Sequence, residues 1–322
     1  MKLFVLHLSD IHFEKENDYG DDNVCAIVNA LKIDNDIEAV LAIVSGDITF
    51  SGYRRQYSTG WKFFKALRDK IRKKYDVGSI EFAVVPGNHD LNCFSGANTH
   101  EQIKSWVDND SLDEHIEDEC SKMGAFYYYA NVLQCFTDKK RLICVRELQY
   151  GDKTIRLNLI NTAAFSSLDE DQGLHYLPKS DLDLLAEPSK SDFVFTVMHH
   201  PHHWFCWRMK KELEKIIYEQ SDAIFVGHEH FSSEIAISSG SANVCIYAGG
   251  ELSNKGDWSN SEFYGAVLDT NSRSFNVFRY VWDAKSGLYI RRNRNNSVLS
   301  RNRINRNGIS PKKEYIHELM QD

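Results

Sequence analysis

The sequence predicts a layered α/β sandwich, two β-sheets held between outer helices in an α/β/β/α stack of four layers. Three observations lead there. Apolar runs of strand length alternate with helical spacings through most of the first 230 residues. Those runs are mostly apolar, as expected for strands buried on both faces. Beyond residue 230 the pattern turns to strands alone, so helix-covered units are followed by a purely extended part.

KLFVLHL (2–8) opens the core as a buried strand. It runs directly into a polar motif with no small-residue cleavage site, so a strand is expected there and not a secretion signal. A helix around 21–33 leads to AVLAIVSG (39–46), a second buried strand that ends in Gly. In 54–75, Trp61, Phe64, Leu67, Ile71 and Tyr75 recur three or four residues apart, which makes one helical face with Lys and Arg between its members. EFAVVPG (81–87) is a third strand, stopped by Pro and Gly.

The stretch from about 98 to 140 is acidic, helical in pattern and aromatic at Phe126–Tyr129, and is expected to be a cap inserted between core units. RLICVREL and KTIRLNLINT then make two strands around a tight turn. Strands follow at 192–199 and 221–228 with a helix near 208–219 between them, and then at 232–238, 243–248, 263–269 and 274–282. Residues 291–306 are rich in Arg and Asn, which predicts a loop or mobile tail. PKKEYIHELM reads as a short terminal helix started by Pro311.

Composition narrows the function classes. With 322 residues and 42% hydrophobic content, the chain can bury a large core, yet no apolar run reaches the ~18 residues of a membrane span. The seven cysteines are scattered and form no C-x-x-C pair. This argues for reduced thiols in a cytoplasmic protein, and against a disulfide framework or thiolate zinc. A net charge of −8 gives no global reason to expect nucleic-acid binding.

Five short segments sit at the ends of expected strands: Asp10-Ile11-His12, Gly46-Asp47, Gly87-Asn88-His89-Asp90, His199-His200-Pro201 and Gly227-His228-Glu229-His230. Strand-end loops are where an α/β scaffold presents functional groups. In an extended segment, residues two apart project to one side, so Asp10 with His12, and His228 with His230, can each deliver two ligands to one region. Glycines at 46, 87 and 227 are expected to let the backbone turn sharply. Carboxylate, imidazole and amide oxygen without thiolate suit Mn²⁺, Fe or catalytic Zn²⁺.

The order D-x-H, G-D, G-N-H-D, H, G-H-x-H resembles the calcineurin-like metallophosphoesterases, over positions 10 to 230. The resemblance implies that family's fold; with the composition it divides the chain into a domain over residues 1–290, with the cap at about 98–140 within it, and a tail over 291–322. It implies two divalent metal ions, Mn²⁺ foremost. Asp10, His12 and His230 would hold one, Asn88, His199 and His228 the other, and Asp47 would bridge. Metals ~3.5–4 Å apart can share a hydroxide and clamp a phosphoryl group. The resemblance also places His89 beside the phosphate, as stabiliser or acid, with Asp90 as its orienting partner.

Several residues carry a plainer reading beside the functional one. His7, inside the first strand, is expected to be a satisfied core histidine. His200 either faces substrate or does not, and His202 and His203 are expected in a loop. Glu229 should point away from the site. Trp204, Phe205 and Trp207 either stack against a base or pack their own loop, and Phe126–Tyr129 either builds the cap core or walls the substrate.

The first functional expectation is a phosphodiesterase for a nucleotide-type or small phosphodiester. His199-His200-Pro201 resembles the cyclic-nucleotide and glycerophosphodiester branch of the family, although no second Pro follows Pro201 and the cap is longer. The alternative is a DNA or RNA nuclease, since G-N-H-D also resembles the nucleases of double-strand-break repair, with the basic residues Arg291, Arg292, Arg294, Arg301, Arg303 and Arg306 holding the polymer. H-H-P-x-x-W-F and G-H-E-H are also similar to modules at the N-termini of larger bacterial proteins, some linked to antiviral defence. That likeness would make the tail a contact for a protein partner or a second copy.

Overall fold

The computed structural model describes residues 1–92, 99–166, 172–239 and 242–299. The expected terminal helix and Arg301, Arg303 and Arg306 lie outside the described residues, as does Cys93; the other six cysteines are free thiols.

Strands β1 (Lys2–Leu8), β2 (Ile37–Ser45) and β3 (Ser79–Val85) are parallel neighbours. Crossover helices α1 (Asp21–Ala30) and α2 (Arg54–Lys74) connect them, as parallel pairing requires. β10 (Glu262–Asp269), β11 (Ser274–Asp283) and β12 (Leu288–Val298) extend this sheet antiparallel from β1, giving the order β12-β11-β10-β1-β2-β3. The second sheet has the order β4-β5-β6-β7-β9-β8. Its members are β4 (Ile143–Tyr150), β5 (Lys153–Ile160), β6 (Phe193–Met198), β7 (Ala223–Val226), β8 (Ser233–Ser239) and β9 (Ala242–Ala248). Helices α6 (Lys179–Ala186) and α7 (Trp207–Gln220) pack together on its side of the molecule.

The two sheets meet face to face, β2 against β6 and β7, and β3 against β5 and β6. Apolar side chains fill the space between them: Phe195 against Phe225, and Tyr247 against Phe275, are fully buried or nearly so. This is why the strands read as largely apolar runs.

The cap is helical as expected, with α3 (His100–Asp108), α4 (Leu112–Lys122) and α5 (Gly124–Val132). α5 lies on α2, where Tyr57 contacts the rings of Phe126 and Tyr129. Phe126 and Tyr127 are therefore core of the cap, while Tyr128 faces outward under Arg54.

One expectation is corrected. Residues 291–298 are not a loop: they form most of β12 and pair with β11, Arg291 opposite Tyr280 and Arg292 opposite Arg279. Strand pairing uses backbone groups, so it does not need apolar side chains, and a charged edge strand resists pairing with other chains. A boundary at 290 therefore cuts through a strand.

Candidate metal centre

β1, β2 and β3 are parallel to one another, and so are β6 and β7, with the two sets stacked across the sandwich. Their C-terminal ends carry the five motif segments to one edge of the molecule. There the segments are stitched together. Asp10 N–H donates to the Gly46 carbonyl at 3.2 Å, and Ile11 and His12 N–H donate to the Asp47 carbonyl at 2.8 and 3.0 Å. His228 N–H reaches the Asp10 carboxylate at 3.2 Å, and His89 N–H reaches Asp47 Oδ1 at 2.9 Å.

The backbone delivers these side chains in an unexpected way. Asp10, His12 and Asp47 have φ of 52°, His228 73° and His230 57°. The i, i+2 pairs therefore converge through left-handed turns and not through strand alternation, which corrects the extended-segment expectation. Each such residue costs ~1–3 kcal/mol and persists only where its surroundings enforce it.

The glycines divide as well. Gly46 has φ of 100° and does make a sharp turn. Gly87 does not: its φ is −111°, and it is needed because a Cβ there would sit 2.1 Å from Asp47 Oδ1.

Two groups of donors result. Asn88 Oδ1 is 3.1 Å from His199 Nε2 and 3.3 Å from His228 Nδ1, and those two nitrogens are 3.3 Å apart. Donors sharing one cation at ~2.1 Å, with ~90–109° between bonds, stand ~3.0–3.4 Å apart. This triangle therefore fits a metal ion. The donor atoms of Asp10, His12 and His230 lie within 4.8 Å of one another, with His230 Nε2 3.4 Å from Asp10 Oδ1. Asp47 joins the groups: its Oδ2 is 3.1 Å from His12 Nε2 and 3.3 Å from His199 Nε2. The donor set of carboxylates, imidazoles and an amide oxygen suits Mn²⁺, Fe or Zn²⁺.

A model of the calcineurin-like phosphoesterase family matches residues 4–232. The chain belongs to that family. No curated protein sequence matches it. Solved structures similar to it include Vps29 from Chaetomium thermophilum, at TM-score 0.38 and 11% identity over 96% of this chain and 100% of that one. Vacuolar protein sorting 29 from Cryptosporidium parvum has TM-score 0.38 and 10% identity, over 92% and 98%. Wild-type Vps29 complexed with zinc from Entamoeba histolytica has TM-score 0.36 and 11% identity, over 90% and 98%.

Electrostatics in this calcineurin-like phosphoesterase favour a cation. Burial alone would lower His199, yet the carboxylates of Asp47 and Asp10 carry it up to about 10. Asp47 lies well below the usual carboxylate range in spite of burial, because His199 and His12 face it. In the metal-free protein, protons on the imidazoles thus supply the positive charge that the buried carboxylates demand. Burial pushes His228 down to about 3, so it stands as a neutral donor.

Two roles are corrected. Asp90 does not orient His89: its carboxylate accepts the N–H groups of Gly87 at 3.0 Å, Ile48 at 3.2 Å and Thr49 at 2.9 Å, and the Thr49 hydroxyl. It therefore ties the β2 and β3 loops together. The partner of His89 Nδ1 is the Phe50 carbonyl at 3.0 Å. The substrate-facing option for His200 is also closed, since the ring is buried, bonded to Thr162 Oγ1 at 2.8 Å and tilted against His175 at 4.0 Å.

The remaining residues fall as follows. His7 is buried and bonded to Ser45 Oγ at 2.8 Å. Glu229 turns to His203 at 2.7 Å, and His202 meets Tyr218. Phe205 is buried and Trp207 is 69% exposed, whereas Trp204 sets its ring edgewise against His228 at 4.1 Å. Sequence reasoning passed over Glu251, whose Oε1 is 3.6 Å from His230 Nδ1, and Lys255, whose ammonium lies 3.6 Å over the Phe50 ring. The only available signal was Gly249-Gly250 at the end of β9, a strand-then-glycine pattern like those of the motif loops.

Proposed function

We propose that this chain is a binuclear metal-dependent phosphodiesterase acting on a nucleotide-type or small phosphodiester. The observation that carries the reading is the position of Asp47 Oδ2, within 3.1 Å of His12 Nε2 and 3.3 Å of His199 Nε2. One buried carboxylate oxygen thereby serves both donor groups.

Asp10, His12 and His230 would hold one cation and Asn88, His199 and His228 the other, with Asp47 between the two donor groups. Divalent ions held there, Mn²⁺ first, would supply Lewis-acid charge toward a phosphoryl group and lower the pKa of a bound water. Water oxygen attacks phosphorus in line, and the ester P–O bond opposite it breaks. His89 serves the leaving oxygen. Its Nδ1–H donates to the Phe50 carbonyl, which fixes the ring and leaves Nε2–H to deliver a proton to the departing alkoxide. The ring stacks on Phe50 at 5.0 Å and is only partly buried, so solvent can reprotonate it.

A hydrolysis panel with Mn²⁺ tests this, comparing bis-p-nitrophenyl phosphate, p-nitrophenyl phosphate, cyclic nucleotides and single- or double-stranded DNA. Diester cleavage above monoester cleavage supports the proposal. Turnover confined to DNA and falling steeply with salt would replace it with the nuclease reading.

A further inference from the structure

The geometry points to Glu251 as a positioning residue that fixes the ring of His230 for metal binding; this rests on the two-metal reading above. His230 is the least enclosed of the seven donors, 41% exposed on a left-handed turn, so packing alone does not set its ring. Its Nε2 faces Asp10 Oδ1 at 3.4 Å, within the Asp10, His12 and His230 group. An imidazole that binds metal through Nε2 must carry its proton on Nδ1, and ligating histidines commonly give that N–H to a carboxylate.

Glu251 Oε1 lies 3.6 Å from His230 Nδ1. That is a few tenths of an ångström beyond hydrogen-bond range, and Oε1 is itself buried with no hydrogen-bond partner among the described residues. A donor that needs an acceptor thus faces a desolvated acceptor that needs a donor, and a small rotation of either side chain closes the bond.

The backbone keeps the two in one frame. The Glu251 carbonyl accepts Glu262 N–H at 3.0 Å, and Leu252 N–H donates to the carbonyls of Ser9 and Asp10 at 3.1 Å. The segment that carries Glu251 is therefore pinned to the segment that carries Asp10. Other rings at the site are fixed by main-chain carbonyls, His199 by Ser45 at 2.8 Å and His89 by Phe50 at 3.0 Å. For His230 the corresponding acceptor is a carboxylate, which adds negative charge beside the first cation as well as orientation.

The test is Mn²⁺ binding to the full chain by calorimetry after stripping with EDTA, with Glu251→Ala, Glu251→Gln, His230→Ala and the His230→Ala, Glu251→Ala pair. We expect two equivalents in the unmodified protein. Glu251→Ala should weaken one of the two sites ~10–100-fold and leave the other unchanged. Glu251→Gln, which keeps an acceptor oxygen, should recover part of that loss. In the His230→Ala background, Glu251→Ala should change nothing further. The assignment is overturned if Glu251→Ala binds both equivalents as tightly as the unmodified protein, or if its effect persists without His230. No binding by the unmodified protein would overturn the two-metal reading itself, and this assignment with it.

Discussion

Asn88 and His199 stand 111 positions apart in the chain, on loops from different sheets, yet Asn88 Oδ1 and His199 Nε2 lie 3.1 Å from each other. Both face His228 Nδ1 at 3.3 Å. The strand C-termini of the two sheets supply one half of the donor pair each.

Asp47, the proposed bridge, should be the least replaceable group. Asp47→Asn keeps the size of the side chain but removes the negative charge shared by His12 and His199. Bound Mn²⁺, measured by elemental analysis after gel filtration, should fall from two equivalents to one or fewer, and diester hydrolysis should be lost with it. Two tightly held equivalents in this variant would show that Asp47 does not bridge.

His89→Ala should separate catalysis from metal binding. Its Nδ1 lies 3.0 Å from the Phe50 carbonyl and the ring is outside the proposed ligand set, so two equivalents should remain while kcat drops ~10²–10⁴-fold, as for loss of a general acid. The deficit should be smaller for p-nitrophenyl esters than for alkyl esters, whose leaving oxygens need the proton more. Equal deficits across leaving groups would argue against proton delivery by His89.

Gly87→Ala places a methyl group where Asp47 Oδ1 now lies, at 2.1 Å, and the backbone φ of −111° accepts alanine without strain. The clash falls on the carboxylate and, at 2.7 Å, on the Asp47 backbone nitrogen. Metal affinity should fall, and the thermal midpoint of the EDTA-treated protein with it. A variant with unaltered Mn²⁺ affinity would show that the loop relaxes freely.

The pH response of the metal-free protein follows from His199 and Asp47. His199 is raised to about 10 in the folded state, against ~6.5 when unfolded. Its contribution to stability is thus complete below ~6.5 and is lost as pH rises through about 10. Asp47 is depressed, so its contribution is present above ~3.9 and lost as pH falls through its low folded value. In EDTA, Tm should decline between pH 7 and 10. Mn²⁺ must displace the His199 proton, so its affinity should rise over the same interval. A Tm independent of pH in that range would contradict the assigned charge state.

The succession of strands and helices along the chain, the cap and the strand-end position of the donors were legible in the sequence because buried parallel strands leave largely apolar runs and the polar motifs interrupt them abruptly. The manner of convergence was not. Left-handed φ at Asp10, His12 and His228 leaves no mark in residue type, since Asp and His also occupy ordinary turns. Asp90 was placed beside His89 by adjacency, but a 3-10 turn at Asn88–Asp90 points their side chains apart. β12 was missed because its ladder is made by backbone groups, to which composition is blind. Glu251 faces His230 from a loop beyond the motif region, marked in the sequence only by Gly249-Gly250 before it.

The central claim, two cations acting as one hydrolytic centre, is tested most directly by adding Mn²⁺ stepwise to EDTA-stripped protein while following bis-p-nitrophenyl phosphate cleavage. Activity should be absent without metal and reach its plateau only at the second equivalent. Full activity in the stripped protein, or a plateau at one equivalent, would contradict it.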